Sequence, residues 1–556
     1  MKIVIALFIW FVNLFGNAYI LDSDVNRERY VKLKLDLESY DKRNKRIQSL
    51  IMKRGVKAKI IKESDLDKLQ SNDVLFLIDS FAISQEAQNK IIDFVAKGGR
   101  LVFNFKSAFL NEKGYFTRDK FLVKLTNLKP LGYGYKPGDH NIFVVQHLLS
   151  PISIPSAKVI DFVVFDTIPF FKGKTPDLEF TNYSATEPLR FKDKYIPSGA
   201  LWDGKYKKGG WIYFSFPFYV LVGTYKEWTK TFESIIDYAL KGVEVVKYPY
   251  LKYDKMTFIS EDTEYKYVNF NNFINALQKY DLNGTAFCVG KLAKQYPKLM
   301  KMAGNLPFLE ISSHSYSHTK LIDKPIKELD EIEINGNNKL LQSLSGQEVK
   351  GFRPPREELN NKMKRIIETS SIEYILAKYL QQLRPKYIGN LMLFSRMGTD
   401  DYQYLMELDW NKTQIINKMK QEADYITSLN GMYTMSTHTH LMCYKSNIEM
   451  LEGLLKHLKE KKYPVLKGID IANLIFQKDK IKIGYKITPK GLEVVVNNTN
   501  NIDIKEFIFR VFYLTKPFNK IRAPLKTELI KYNNNYIDVK IFNLPKKQTI
   551  NLLLEY

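Results

Sequence analysis

The sequence predicts a multidomain α/β protein with two successive α/β domains and a small C-terminal β-sandwich. With 556 residues, the chain exceeds the length that one hydrophobic core usually supports. Predicted strands and helices alternate in two segments, and the pattern of alternation changes between them. Helical periodicity disappears after about Lys478. These observations divide the chain into residues 1–18, 19–246, 247–478 and 479–556.

The first eighteen residues have the composition of a secretory signal peptide. Lys2 precedes an apolar run from Ile3 to Phe15, and Gly16–Ala18 supply small residues for a cleavage site. The run is shorter than the roughly 20 residues that span a bilayer. We therefore expect cleavage before Tyr19 and export to the periplasm, the cell surface or the medium, with an uncleaved anchor as the alternative. No later segment is long and apolar enough to cross a membrane.

Charge and cysteine content argue against several functional classes. The formal charge of +24 comes from 84 Lys and Arg against 60 Asp and Glu, but the lysines are dispersed and form no recognised nucleic-acid motif. We expect a solvated basic surface without a nucleic-acid partner, and an anionic cell-envelope surface as a candidate neighbour. Cys288 and Cys443 are the two cysteines, which excludes a disulfide scaffold or a cysteine-rich zinc module.

Residues 46–105 predict an α/β layer unit. Asp73–Ile78 and Arg100–Phe105 are largely apolar runs, which suit parallel strands covered on both faces. The region resembles flavodoxin-type, amidotransferase-like domains, with Trp211–Pro217 as the closing strand. An amidotransferase needs a cysteine nucleophile, yet no cysteine precedes Cys288. We expect this domain to be structural or substrate-binding.

A second α/β domain begins after a connector near Lys247–Asp254. Its predicted strands are Met256–Ile259, Thr285–Val289, Phe308–Ser312, Ile372–Ala377, Leu391–Ser395 and Met432–Thr437, with helices at Pro325–Leu344, Lys412–Leu429 and Asn447–Lys461. Repeated βα units of this kind close into a barrel. The later β-rich runs are Leu492–Val496, Phe507–Leu514, Tyr536–Phe542 and Thr549–Leu554. They predict the small β-sandwich.

Two motifs in the central domain supply acids and imidazoles directly after predicted strands, where barrel enzymes build their sites. Glu261 and Asp262 are adjacent carboxylates, whose repulsion and a nearby metal can separate their roles. His314 and His318 lie four residues apart among only seven histidines. They can reach one ion if they share a helical turn. Alone, each motif also fits solvated or capping side chains.

Two further motifs complete the set. In Gly351–Arg356, two prolines rigidify the backbone beside Arg353, which can hold a carboxylate in a bidentate grip. His438 and His440 follow the apolar strand that ends near Thr437. A Pro-rich turn and structural histidines are the ordinary explanations of these two motifs, so the combination and order of all four carry the information.

Taken together, the four motifs resemble those of the NodB-type polysaccharide deacetylase superfamily, over about Tyr253 to Phe476. The resemblance implies Asp262, His314 and His318 as the ligands of a divalent ion. Two imidazoles and one carboxylate leave open positions, as in catalytic zinc sites, so Zn²⁺ is the first expectation. The resemblance also implies Glu261 as the catalytic base and Arg353 as the residue that orients it.

The catalytic acid has two candidates in the sequence. The resemblance implies His438 or His440, held by an acidic residue that is either Asp401 or Asp409. Asp409 lies in Glu407–Trp410, which only partly matches the family's Asp-x-x-Asp-Trp motif. A second departure is Glu261, because the family's base is usually Asp.

The implied activity is metal-dependent hydrolysis of N-acetyl groups on an acetylated hexosamine polysaccharide at the cell envelope. Chitin-like, peptidoglycan and exopolysaccharide backbones all fit. Two alternatives stay open: a catalytically inactive carbohydrate-binding protein on the same fold, and a barrel glycosidase with carboxylates about 5–10 Å apart.

Overall fold

A computed structural model describes residues 16–135, 142–155, 159–162, 167–192, 194–196, 198–222, 226–377 and 382–556. Most of the predicted signal peptide, residues 1–15, lies outside these ranges. Ala18 is buried and paired in the first strand, so cleavage before Tyr19 would remove one residue of that strand. No helix in the described ranges is long and apolar enough to cross a membrane.

The N-terminal region is built around a nine-stranded mixed sheet. The strands up to residue 247 are β1 (Ala18–Leu21), β2 (Ala58–Ile61), β3 (Val74–Leu77), β4 (Arg100–Asn104), β5 (Lys129–Gly134), β6 (Phe143–Gln146), β7 (Ile160–Asp161), β8 (Ile168–Lys172), β9 (Leu178–Thr181), β10 (Arg190–Phe191), β11 (Lys194–Tyr195), β12 (Ser198–Tyr206), β13 (Gly209–Phe214) and β14 (Val243–Lys247). The helices are α1 (Asp24–Lys32), α2 (Leu37–Met52), α3 (Gln85–Ala96), α4 (Arg118–Thr126), α5 (Phe218–Val222) and α6 (Lys226–Lys241).

The strand order of this sheet is β2-β1-β3-β4-β13-β12-β9-β6-β7, and the first five strands are parallel. β3 and β4 lie within the apolar runs identified in the sequence, and every residue of both strands is buried. The order of the parallel strands is that of flavodoxin-type sheets. The amidotransferase-like resemblance stays a prediction.

The central domain contains an eight-stranded sheet. Its strands are β15 (Met256–Thr263), β16 (Gly284–Cys288), β17 (Leu309–Ser313), β18 (Gly351–Phe352), β19 (Tyr374–Ala377), β20 (Lys386–Ile388), β21 (Leu391–Ser395) and β22 (Met432–His438). The helices are α7 (Phe270–Tyr280), α8 (Gly290–Ala293), α9 (Pro297–Gly304), α10 (Ile326–Glu328), α11 (Asn335–Ser345), α12 (Asn361–Glu368), α13 (Lys412–Ser428), α14 (Ile448–Glu460) and α15 (Gly468–Asp479).

The central sheet has the order β20-β21-β19-β18-β17-β16-β15-β22 and is parallel except for the β20–β21 pair. Among the described strands, no ladder joins β20 to β22. Backbone N–H groups of Met432 and Thr434 instead donate to the carbonyls of Leu383 and Met397, in the segments that flank β20 and β21. The closed barrel stays a prediction.

The C-terminal region consists of two four-stranded antiparallel sheets. Its strands are β23 (Ile481–Thr488), β24 (Gly491–Asn498), β25 (Ile504–Tyr513), β26 (Lys520–Arg522), β27 (Thr527–Asn533), β28 (Tyr536–Leu544) and β29 (Thr549–Glu555). Side chains of both sheets share one apolar cluster, which includes Val494, Phe509 and Leu552. β14 pairs with β25, so the boundary predicted between residues 246 and 247 falls inside a strand of the C-terminal sheets.

Candidate active site

The parallel strands bring all four sequence motifs to one edge of the central sheet. Carboxyl ends of neighbouring parallel strands meet at the same edge, which is where α/β proteins build their sites. The register of β15 and β22 pairs Asp262 with His438. His314 follows β17 directly, and Arg353 follows β18.

The pleat of β15 sorts its acidic residues between two faces. Successive side chains of a strand point to opposite faces, and the pairing of β15 with both neighbours runs without a register shift. Met256 and Phe258 pack in one apolar cluster, whereas Ile259 packs in another. Asp262 therefore shares the face of Phe258, and Glu261 shares the face of Ile259.

Glu264, His314 and His318 form a candidate metal centre. One ligand atom from each side chain lies within 4.8 Å of the other two. The set of two imidazoles and one carboxylate is typical of catalytic zinc sites. Asp262, which the sequence predicts as the third ligand, is not part of this group, although its Oδ2 lies 3.6 Å from Nε2 of His314.

The hydrogen bonding of these three residues fits a cation. Nδ1 of His314 lies 2.7 Å from the carbonyl oxygen of Arg353, so Nδ1 carries the proton and Nε2 is left as the ligand atom. Oε2 of Glu264 is buried without a hydrogen-bond partner among the described residues, and it lies 3.0 Å from Nε2 of His318. A buried carboxylate oxygen without a donor favours a nearby cation.

The pKa shifts of Glu264 and His314 favour the charge states that metal binding requires. Burial would raise the pKa of Glu264, but His318, His314 and His438 lower it to about 2. Burial lowers the pKa of the His314 imidazole. Metal ligands must be an ionised carboxylate and neutral imidazoles, and both shifts act in that direction.

A loop, and not a helical turn, brings His318 to His314. Ser315 and His318 both have left-handed backbones, with φ of 64° and 56°, which is uncommon outside glycine and is concentrated at functional sites. Glu333 holds this loop, because its Oε2 accepts from the N–H groups of Tyr316 and Ser317 at 3.1 and 3.0 Å. Glu333 lies in a π-helical segment, Leu329–Ile334, between α10 and α11.

Asp262 is held by Arg353. Nη1 of Arg353 lies 3.0 Å from Oδ1 and 2.9 Å from Oδ2 of Asp262. Nη2 of Arg353 donates to Glu357 at 3.0 Å, and Glu357 also accepts from Nε of Arg396 at 2.8 Å. All of these side chains are largely buried. Arg353 therefore orients Asp262, whereas the sequence predicts that it orients Glu261.

Glu261 is not brought together with the metal centre. It is fully buried on the other face of β15, and Thr263 Oγ1 donates to one of its oxygens. Burial raises its pKa well above the usual value, which favours the protonated carboxyl. Its surroundings include Cys288 and Cys443, both of them free and buried thiols.

His438 is bound to Asp401, one of the two acids considered for it. Nδ1 of His438 lies 2.5 Å from Oδ1 of Asp401, and its backbone N–H donates to Oδ2 at 2.7 Å. Burial would lower the pKa of His438, but Asp401 raises it to about 10. Asp409 is exposed and has no contact with either histidine among the described residues.

The two histidines of the last motif have different surroundings. Nε2 of His438 lies 3.6 Å from Oδ2 of Asp262 and 3.4 Å from Oε1 of Glu264, so it faces the metal centre. His440 is half-buried, and its Nδ1 is buried without a described hydrogen-bond partner. Burial lowers the pKa of His440. Its ring stands edge-on to Tyr265 at 5.2 Å.

Several residues of the site escape motif reasoning. Glu264 directly follows β15 and belongs to none of the four motifs. Three supporting residues also lie outside the motifs. Glu333 holds the loop that carries His318. Glu357 accepts hydrogen bonds from both Arg353 and Arg396.

Part of the central domain is similar to a known family. Residues 247–375 match a family model described as polysaccharide deacetylase. This segment includes Asp262, His314 and Arg353 and ends before His438. No curated protein matches the chain significantly.

Comparison with solved structures gives distant similarities. A putative polysaccharide deacetylase from Mycobacterium smegmatis is 15% identical, with a TM-score of 0.37 over 42% of this chain and 94% of that chain. Peptidoglycan deacetylase PdaC from Bacillus subtilis is 18% identical, with a TM-score of 0.30 over 42% and 95%. A CE4-family pseudoenzyme from Bacillus anthracis is 17% identical, with a TM-score of 0.29 over 39% and 65%.

Proposed function

We propose that this protein is an exported, metal-dependent deacetylase that hydrolyses N-acetyl groups on an acetylated hexosamine polysaccharide of the cell envelope. The observation that carries the proposal is the convergence of a three-ligand group, an arginine-held aspartate and an aspartate-held histidine at one sheet edge. The match of residues 247–375 to the deacetylase family supports the same chemistry.

The proposed metal ligands are Glu264, His314 and His318, with Zn²⁺ as the first choice. A bound divalent ion would supply Lewis acidity and lower the pKa of a water molecule towards about 7. The orphaned Oε2 of Glu264 and the fixed tautomer of His314 support this set. It differs from the sequence prediction, since Glu264 takes the place of Asp262.

Asp262 is the proposed catalytic base. Its carboxylate lies at the same sheet edge as the three ligands, 3.6 Å from the imidazoles of both His314 and His438. Arg353 fixes its orientation through contacts to both carboxylate oxygens. Asp262 would remove the proton of the attacking water as a new C–O bond forms at the acetyl carbonyl. Glu261 lies fully buried on the other face of the strand, so it is not available for that role.

His438 is the proposed catalytic acid. Asp401 fixes the ring and raises its pKa to about 10, so the imidazolium is present at neutral pH. The proton on Nε2 would pass to the amine as the amide C–N bond breaks. The products are acetate and a free amino sugar.

An exposed aromatic ring beside the ligands supports a sugar substrate. Tyr265 is 60% exposed, and its ring stands edge-on to His318 at 6.1 Å and to His440 at 5.2 Å. A tyrosine offers an apolar face together with a hydroxyl tip. Such a ring can pack against a pyranose while the acetyl group enters the metal centre.

The test is to measure acetate release and bound metal together. Purified protein is incubated with acetylated chitooligosaccharides, peptidoglycan fragments and an acetylated exopolysaccharide, before and after chelation and Zn²⁺ restoration. Acetate release that disappears on chelation and returns with Zn²⁺ supports the proposal. Shortened chains without acetate would indicate a glycosidase, and binding without either product would indicate an inactive carbohydrate-binding protein.

A further inference from the structure

A second cleft lies where the N-terminal region, the central domain and the C-terminal sheets meet. Its volume is about 920 Å³, within the range of roughly 300–1,000 Å³ that small-ligand sites occupy. Lining residues come from the segment 146–155, from α6, from β14, from the segment before β20, and from the junction of α15 and β23. The cleft shares no lining residue with the candidate active site.

Six cationic side chains line this cleft: Lys230, Lys241, Lys247, Arg384, Lys478 and Lys482. Three of them come from three different parts of the chain. Lys247 is the last residue of β14, Arg384 precedes β20, and Lys478 lies in the last turn of α15. The Lys478 side chain is only 2% exposed, and its Nζ lies 3.1 Å from Asp479. Arg384 has no hydrogen-bonded or ion-paired partner within the described ranges.

Positive charge exceeds negative charge at this point of the cleft. Burial, together with repulsion from Arg384, lowers the pKa of Lys247 to about 8 and that of Lys478 to about 7. Asp479 is the acid that offsets this repulsion for both lysines. Like charges that are held together in a partly dehydrated site favour the binding of an anion.

The other acids of the cleft have partners of their own. Asp237 and Glu233 both pair with Arg54. Glu244 accepts from the hydroxyl of Tyr485 at 3.0 Å and from the backbone N–H of Val245 at 3.1 Å. These contacts direct the carboxylates away from the role of counter-ion for Lys247, Arg384 and Lys478.

Helix capping explains part of this arrangement. Nζ of Lys247 donates to the carbonyl oxygens of Lys478 and Ile481 at 3.0 and 2.7 Å. Cations near the C-terminal end of a helix satisfy its last carbonyls and interact favourably with its dipole. Capping does not account for Arg384, which is not engaged by the helix end.

We propose that this cleft binds an anionic sugar unit, with Lys247, Arg384 and Lys478 holding its phosphate or carboxylate group. A guanidinium matches either group in a two-pronged hydrogen bond, and the bound anion would neutralise the facing cations. The volume of the cleft accommodates the sugar as well as the charged group. This proposal does not depend on the catalytic assignment, since the cleft and the candidate active site are separate.

The test is calorimetric titration of the full chain with galacturonate, glucose 6-phosphate, inorganic phosphate and neutral glucose at fixed ionic strength. We expect saturable binding of at least one of the two anionic sugars and none of glucose. The sugar that binds assigns carboxylate or phosphate chemistry to the site. Arg384→Gln should weaken that binding about ten-fold or more, because charged hydrogen bonds are the strong ones.

The matched control is Lys490→Gln, which removes the same charge from the exposed turn between β23 and β24. It should leave the affinity unchanged and so separates a specific site from general attraction to a chain of charge +24. Equal weakening by both variants, or no saturable binding of either anionic sugar, would overturn the proposal. Inorganic phosphate that binds as tightly as the sugar would also overturn it, because the site would then take only an ion.

Discussion

The end of β15 places two similar acids in opposite chemical environments. Glu261 and Glu264 have the same side chain and lie three residues apart, yet the pKa of Glu261 is raised well above its usual value and that of Glu264 is lowered to about 2. Burial acts on both; the difference is that Glu264 meets His314, His318 and His438. The comparison teaches that the partners of an acid, and not its adjacency in the motif, determine whether it can bind a cation.

The strongest test of this comparison is Glu264→Gln. Replacement of a carboxylate ligand by an amide removes the negative charge from the centre, so we expect bound Zn²⁺ to fall from about one equivalent to near zero. Acetate release should disappear with it. Elemental analysis of the purified protein and an acetate assay measure the two quantities.

Glu261→Gln is the matched control for that variant, since it makes the same change on the other face of the strand. It should retain metal and activity close to those of the wild type. If Glu261→Gln lost the metal and Glu264→Gln kept it, the assignment of the two faces would be reversed.

Asp262→Asn should have the second largest effect. A catalytic base contributes roughly 10²–10⁴-fold to the rate, and an asparagine in the grip of Arg353 cannot accept the proton. We expect kcat for acetate release to fall by about this factor while bound metal stays near the wild-type level. Loss of metal in this variant would instead support Asp262 as a ligand, as the sequence predicts.

Asp401→Asn should have a smaller effect, because Asp401 acts through His438. Outer partners of catalytic side chains typically contribute about 10–100-fold to activity. We expect a fall in kcat of that size, a smaller change in KM, and a lower pKa for the acidic group that is seen in the pH–rate profile. Asp409→Asn is the control, and comparable losses in both variants would contradict the choice of Asp401.

The sequence predicts strands well wherever apolar runs end in a clear turn. Leu391–Ser395 is predicted as a strand and is β21 to the residue, and the predicted helix Lys412–Leu429 differs from α13 by one residue. The predicted strand Met256–Ile259 is too short, because its polar continuation to Thr263 has no hydrophobic signal. That missing extension hides the alternation that separates Glu261 from Asp262.

Other features of the site depend on contacts between distant segments. Asp401 meets His438 across 37 residues, and Arg396 meets Glu357 across 39. The turn that brings His318 to His314 is held by Glu333 and by left-handed backbone at two positions. A sequence pattern can identify side chains with the required chemistry. It cannot identify the residues that contact them, because those contacts depend on tertiary packing.

The smallest effect expected is a change in the pH dependence of stability in Glu261→Gln. The folded pKa of Glu261 is raised by burial, so between its unfolded pKa and its folded pKa the folded state binds more protons than the unfolded state. Stability contributed by this group is therefore present in full below the unfolded pKa and is lost as pH rises through the folded pKa. A neutral glutamine has no such dependence. Urea unfolding at pH 4, 6 and 8 should thus show the variant gaining stability relative to the wild type as pH rises, and a difference that is constant across the three values would place an ionised carboxylate on the buried face.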